Sequence, residues 1–148
     1  MTEATQYEIE RQLIDAVAAV LEQQNVPVIK MLQAVERSDD YQVAISAQEN
    51  GSSDHIARKG GKQVWDIYEV DITLTVLTNR NNEGSAVIHW QNVGKVREVF
   101  SRNVNEINLH LNGLVAHTIR PTGTTTSIDQ SIDQTEMTFT TITQIGGQ

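Results

Sequence analysis

The stretch DIYEVDITLTVLTNR, from Asp66 to Arg80, alternates apolar and polar residues almost throughout. Its apolar members are Tyr68, Val70, Ile72, Leu74 and Val76, and its polar members are Glu69, Asp71, Thr73 and Thr75. Because successive side chains of a β-strand point to opposite faces of a sheet, this pattern predicts one long strand with two unlike faces. A fold for this chain therefore has to bury one side of that strand and leave the other side polar.

A first helix is predicted from Thr5 to about Gln24, where apolar residues recur at helical intervals. Thr5 and Glu8 have the spacing of a capping box. Asn25 and Pro27 predict the end of this helix, since the residue before a proline disfavours helical geometry.

A second helix is predicted from about Ser85 to Arg102. Its apolar stripe consists of His89, Val93, Val96 and Phe100, with Ala86 and Trp90 beside it. His89 on this stripe indicates a hydrogen-bonded histidine at the edge of the core. Trp90 is interpreted as a core or core-edge residue, with an interface anchor as the alternative.

The remaining segments of the first half are less uniform. Tyr41 to Glu49 is predicted as a strand, and Val26 to Arg37 is ambiguous between strand and helix. Asn50 to Lys62 is rich in glycine, serine and charge, so it is predicted as a long flexible loop that joins two strands of an extended hairpin. An Asn/Gly-rich turn, Thr78 to Ser85, ends the long strand.

The C-terminal region predicts further strands. Asn112-Gly113 indicates either a tight hairpin or a short turn that leads into a single strand, Leu114 to Arg120. The polar run Pro121 to Gln134 is predicted as a second hairpin loop. Thr135 to Ile145 is predicted as the final strand, with Met137 and Phe139 on one face, and residues 146–148 as a frayed tail.

This order of elements predicts a fold of the α+β class. Helices and runs of strands alternate in a way that favours a mainly antiparallel sheet with two principal helices on one face and an extended hairpin. The length of 148 residues fits a single domain spanning 1–148.

Composition excludes several classes of function. The net charge of −8 makes free-standing nucleic-acid binding unfavourable, and the absence of cysteine removes disulfides and thiolate ligands. The charge is uneven: residues 1–54 carry −7, residues 55–102 carry +2 and residues 103–148 carry −3. The acidic N-terminal region is unlike a signal peptide, and no apolar run approaches a membrane span, so we expect a soluble protein made in the cytoplasm.

No catalytic or cofactor motif emerges from the residues. Gly61-Lys62 lacks the other residues of a phosphate-binding loop, and SSDH, from Ser52 to His55, lies along a predicted loop instead of on rigid supports. His110 and His117 lack a third metal ligand, and Asp129, Asp133 and Glu136 lack calcium-loop spacing. We therefore expect neither an enzyme nor a bound metal or cofactor.

The candidate site is instead an interaction surface. Its predicted residues are Glu69, Asp71, Thr73 and Thr75 on the long strand, Thr138 and Thr140 on the final strand, and Arg58, Lys59 and Lys62 in the basic loop. Thr141 is placed with the final-strand threonines. Such a polar, β-prone surface suits pairing between subunits better than transition-state stabilisation.

Most of the chain resembles the tail terminator proteins of tailed bacteriophages and their tail-completion and neck relatives. The resemblance lies in YEIERQLIDAVAAVLEQQ, YEVDITLTVLTNR and AVIHWQNVGKVREVF, and in the run INLHLNGLVAHTIRPTGTTTSIDQSIDQTEMTFTTIT. The last run is the most similar part, with its L-x-G, TGTT, acidic turn and threonine-rich strand.

The resemblance implies a virion structural protein located in the tail or neck. Proteins of this family form hexameric rings that cap the tail tube and offer a surface for the head connector. It implies as partners other copies of the chain, the tail tube, a sheath protein and the head connector or neck protein. Genome DNA would pass through the lumen without specific binding, and no membrane would be involved. Another neck or head-closure protein, or a general α+β protein-binding adaptor, is the alternative.

Overall fold

The computed structural model describes residues 5, 7–30, 41–52, 56–59, 62–65, 67–79, 85–128 and 132–146 of the chain. Within them lie two α-helices, one 3-10 helix and seven strands. The helices are α1 (Ile9–Glu22), α2 (Ser85–Asn103) and the 3-10 helix Val104–His110. The strands are β1 (Val28–Lys30), β2 (Tyr41–Ser52), β3 (Ile56–Lys59), β4 (Lys62–Trp65), β5 (Ile67–Asn79), β6 (Leu114–Ile128) and β7 (Ile132–Ile145).

Five strands form one sheet in the order β1-β2-β5-β7-β6. β1 is parallel to β2, and the other neighbours in this sheet are antiparallel. β3 and β4 pair with each other as a separate hairpin between β2 and β5. The α+β class, with a mainly antiparallel sheet, two principal helices and an extended hairpin, is therefore confirmed.

The two-faced strand is also confirmed. In β5, Val70, Ile72, Leu74 and Val76 are buried, while the residues between them are half-buried and Glu69 is exposed. The buried side faces the helices, because the same residues belong to one core with apolar residues of α1 and α2. This core is completed by residues of β2, β6 and β7, among them Val43, Ile45, Leu114, Met137, Phe139 and Ile145.

Both helices contribute a continuous apolar stripe to this core. Leu13, Val17 and Leu21 of α1 are fully buried. In α2, Phe100 is 1% exposed, and its ring centroid lies 4.7 Å from that of Phe139. The helices are thus held mainly by apolar burial, worth about 1.5–3 kcal/mol for each fully buried large side chain.

α1 begins at Ile9, four residues after the predicted start at Thr5. The Glu8 carboxylate accepts a hydrogen bond from the Thr5 N–H (2.6 Å), but the Glu8 N–H donates to the Thr5 carbonyl (3.1 Å). The Thr5 side chain therefore does not complete the predicted capping box, and Tyr7 lies in a turn before the helix. The helix ends at Glu22, before Asn25, whose φ is 63°.

The predicted loop from Asn50 to Lys62 is wrong where the structure describes it. β2 continues to Ser52, and β3 and β4 occupy Ile56–Lys59 and Lys62–Trp65. Hairpin pairing between β3 and β4 supplies the backbone hydrogen bonds that composition alone did not predict. The rest of the SSDH motif, residues 53–55, lies outside the described residues.

The predicted loop from Pro121 to Gln134 is also wrong where the structure describes it. β6 runs to Ile128, and β7 starts at Ile132, so most of this polar run is paired strand. Asn112-Gly113 is the short turn into a single strand, the second of the two predicted alternatives. The side chain of Gln12 in α1 fixes the conformation of this turn. It accepts a hydrogen bond from the Asn112 N–H (2.8 Å) and donates one to the Asn112 carbonyl (3.0 Å).

Two further predictions concern chain segments near the limits of the described residues. In the ambiguous segment Val26 to Arg37, Val28–Lys30 forms β1 and residues 31–40 lie outside the described residues. Gly146, predicted to fray, donates its N–H to the Gly113 carbonyl at 2.8 Å. The end of β7 is therefore tied to the start of β6 at this point.

Candidate interaction surface

The face of the sheet opposite the helices is polar, and threonine is its most frequent residue. Antiparallel partners share a face, and the register pairs Thr73 with Thr138 and Asp71 with Thr140. The polar sheet face includes Gln48, Asp71, Thr73, Thr75, Thr118, Arg120, Thr125, Glu136, Thr138 and Thr140, together with the apolar residues Ala44, Leu77 and Ile142. Ile142 is 42% exposed and is the exposed large apolar residue on this face.

Side-chain hydrogen bonds cross this face between β5 and β7. The Thr140 hydroxyl donates to Oδ1 of Asp71 at 2.7 Å, and the hydroxyls of Thr73 and Thr138 lie 3.5 Å apart. Charge makes the first of these bonds the stronger one. The structure thus brings together four of the residues that the sequence predicts for the interface.

The other predicted interface residues are divided between the sheet and the β3–β4 hairpin. Thr75 is half-buried on the polar sheet face, and Glu69 is exposed beside a bulge of β2 at Glu49/Gly51. Arg58, Lys59 and Lys62 belong to the β3–β4 hairpin, which is not part of the five-stranded sheet. Thr141 does not belong to the polar face. It is fully buried on the helix side, because it is adjacent to Thr140 and successive strand residues alternate.

A polar cluster is buried where α2 crosses the end of the sheet. His89 is 2% exposed, with Nδ1 at 2.7 Å from the Thr78 hydroxyl and Nε2 at 2.8 Å from the Thr135 hydroxyl. The amide of Asn92 donates to the Thr78 hydroxyl at 3.1 Å. Burial lowers the pKa of His89, and the nearby Asp133 carboxylate opposes that shift. The predicted hydrogen-bonded histidine is confirmed.

The exposed side of α2 carries apolar residues near its N-terminus. Val87 is 62% exposed, Ile88 44% and Trp90 53%. The interpretation of Trp90 as a core residue is therefore wrong. His89 turns toward the sheet, and the next residue, rotated by about 100°, leaves the core. Together Val87, Ile88 and Trp90 form an apolar patch on α2.

A groove of about 400 Å³ lies between the C-terminal half of α2 and strand β6. Phe100, Met137 and Phe139 contribute apolar lining, and Arg97 is the charged residue among the lining groups. Sequence patterns did not predict this groove, because it depends on how far β6 extends beyond the helices.

His110 and His117, which the sequence presents without a third metal ligand, lie in different elements. Nε2 of His117 lies 2.9 Å from the side-chain oxygen of Gln144, and His110 lies in the 3-10 helix. Among the residues that the structure places, no three His, Asp or Glu side chains gather as metal ligands would. None of the described helices is long and apolar enough to cross a membrane.

No protein-family model matches the chain, and no curated protein matches it at a significant level.

Proposed function

We propose that this chain is a structural protein of tailed-phage virions, similar to tail terminators, which caps the tail tube as a ring, hexameric by that similarity. The ring would provide the surface to which the head joins, and the chain would act by recognition, with no catalysis and no cofactor. Its partners would be further copies of itself, the tail tube, a sheath protein and the head connector. This function places the protein in the tail or neck of the virion.

The polar sheet face is the observation that carries the proposal. The face of the sheet that the helices cover is apolar, and the opposite face carries threonine, glutamine and carboxylates. A hydrated face of β-prone residues can line an aqueous lumen or meet a neighbouring subunit without exposing a large apolar surface before assembly. DNA would pass such a lumen without specific contacts, since the described part of this face is rich in neutral hydroxyls.

Ring formation also agrees with the shape and charge of the chain. A ring needs a heterologous contact, in which one side of a protomer meets a different side of the next. Among the described strands, the sheet presents two unlike surfaces for such a contact, its polar face and its short edge strand β1. Charge is also uneven along the chain, with −7 in residues 1–54 against +2 in residues 55–102.

Electron microscopy of tail tubes mixed with the purified chain tests this function. Tubes assembled from the tube protein of the same virus are expected to stop growing and to carry extra ring density at one end. Bare ends and unregulated tube length would contradict the proposal. A point variant in the apolar core, such as Phe100→Ala, serves as an inactive control because it weakens the fold itself.

A protein-binding adaptor is the second candidate function. The apolar patch of Val87, Ile88 and Trp90 favours it, because tryptophan is enriched at binding hot spots and Trp90 is exposed. An adaptor would remain a monomer in the presence of tail tubes. Trp90→Ala would then abolish partner binding while leaving tube length unaffected.

A further inference from the structure

The groove between α2 and β6 has the form of a site for an extended peptide. One wall is formed by Arg97 and Ser101 of α2 and by Val104, the first residue of the 3-10 helix. The other wall is strand β6, with Ile119, Pro121 and Thr124. The floor includes the packed rings of Phe100 and Phe139. A bulky apolar side chain entering this groove would meet apolar surface.

Strand β6 offers hydrogen-bonding groups beside that groove. Among the described strands it pairs only with β7, so its other edge lies at the margin of the sheet. Pro121 and the bulge at Pro121/Gly123 interrupt this edge, but Gly123–Ile128 pairs residue by residue with β7 and carries no charge. An extended chain can therefore pair with the edge of β6 as an added strand.

Arg97 supplies the electrostatic component of the groove. It is exposed, and it forms no ion pair with another described residue. This guanidinium stands beside an apolar floor in a chain of net charge −8, and no carboxylate of the described residues pairs with it. Its complement is a carboxylate on the incoming segment, which it can bind in a bidentate manner.

We propose that the α2–β6 groove binds an extended segment of a partner protein, which adds a strand to β6, buries one bulky apolar side chain on the Phe100–Phe139 floor and pairs an acidic side chain with Arg97. This inference stands independently of ring formation. It concerns a surface separate from the polar sheet face and predicts what a bound segment must contain.

The donor of this segment is a different protein and not a second copy of the chain. The extended segments that the structure describes are already paired within its two sheets. Edge-to-edge pairing of two β6 strands would bring two copies of Arg97 and Arg120 toward one interface, which like charges oppose. A foreign strand with an acidic residue has the complementary charge.

Selection of peptides tests the proposal on the full chain. A library of random linear peptides is selected on the immobilised protein, and the affinity of enriched peptides is measured by titration calorimetry. Enriched peptides are expected to carry an aromatic or aliphatic residue within two positions of an aspartate or glutamate. Arg97→Glu should weaken their binding by about tenfold or more, and Ser101→Trp should block the groove to a similar extent.

Matched controls separate the groove from the rest of the helix. Lys95→Glu makes the same charge change at an exposed position that lies near Tyr41 instead of the groove, and Gln91→Trp adds the same bulk elsewhere on α2. Both controls should bind like the unchanged chain, and all four variants should show the same unfolding midpoint.

Three results would overturn the inference. The first is a selection that enriches no peptide, or only peptides without an acidic residue. The second is equal binding by the groove variants and their controls. The third is self-association of the unchanged chain that Ser101→Trp removes, which would make a second copy the occupant. Each result leaves the tube-capping test unaffected, because that test reports on ring formation.

Discussion

Single residues show how the chain reconciles polar groups with a buried core. The imidazole of His89 lies between two threonine hydroxyls and can satisfy both with one proton, because a neutral ring has one donor and one acceptor nitrogen. A second proton would disrupt this arrangement and place a charge in a site that is 2% exposed. Burial accordingly lowers the pKa of His89 below its ordinary value of 6.5.

Acidification is therefore expected to destabilise the protein through His89. The pKa of His89 in the folded protein lies below 6.5, so the unfolded chain takes up the proton first as the pH falls. The contribution of neutral His89 to stability is therefore complete above pH 6.5 and is lost as the pH falls through and below that value. The free energy of unfolding from urea titrations should decrease by about 1 kcal/mol for each pH unit in that window. His89→Gln should remove this slope; an unchanged slope in the variant would contradict the assignment.

Glu8 provides a second and separate pH dependence. The Thr5 backbone N–H, followed by the Arg11 side chain, lowers the pKa of this carboxyl below 4.5. Its contribution is present above pH 4.5 and is lost as the pH falls through the lowered pKa. Arg11→Met should raise the pKa of Glu8, as measured by NMR titration of its side-chain carbons, and should leave the His89 window unchanged.

Thr140→Val tests the hydrogen bond that crosses the polar sheet face. The substitution preserves shape but leaves Oδ1 of Asp71 without the donor at 2.7 Å, so the free energy of unfolding should fall by about 1 kcal/mol. Thr138→Val is the matched control. Its hydroxyl lies as far as 3.5 Å from the Thr73 hydroxyl, so this contact is weaker and a smaller loss of stability is expected. Equal losses in urea titrations would show that the Asp71 bond has no special weight.

Elements differ in how well the sequence predicts them. Period-two alternation in β5 and helical spacing in α2 reflect one-sided burial, so both elements and their buried faces were predicted closely. The distal half of β6 was missed because Pro121–Ser127 is exposed on both faces, which leaves no apolar alternation to read. Trp90 was misplaced because composition cannot tell which side of a helix a neighbouring strand covers.

The candidate interface was predicted only in part for related reasons. Alternation along β5 placed Asp71, Thr73 and Thr75 on one face, but only the strand register brings Thr138 and Thr140 beside them. The α2–β6 groove depends on the relative position of a helix and an edge strand, which is a tertiary property. It had no signature in the spacing of residues.

Alanine substitutions at two glycines are expected to change the free energy of unfolding in opposite directions. Gly94 lies inside α2, and a Cβ added there meets nothing within 4 Å, so Gly94→Ala should raise the free energy of unfolding by about 1 kcal/mol. Gly113 has φ = 68°, so Gly113→Ala should lower it by about 1 kcal/mol. Calorimetric melting of the two variants measures both changes, and shifts of the same sign would contradict this difference.

For the whole molecule, the proposed function implies that the polar sheet face becomes enclosed when the protein assembles, either against a neighbouring subunit or within the lumen. Among the described elements, the helices cover the opposite face, so the polar face and the β1 edge remain for contacts between subunits or with the lumen. Because the chain has no cysteine, a single introduced thiol reports on one position without interference.

Labelling of Thr75→Cys with a bulky polymer-linked maleimide, before and after addition of tail tubes, tests this claim most directly. Thr75 is half-buried on the polar sheet face, whereas Gln91→Cys places the thiol on the exposed side of α2 as a control. Assembly on tube ends is expected to slow labelling at position 75 by at least about tenfold relative to position 91. Labelling of position 75 at its free rate on tubes that are visibly capped would contradict this claim.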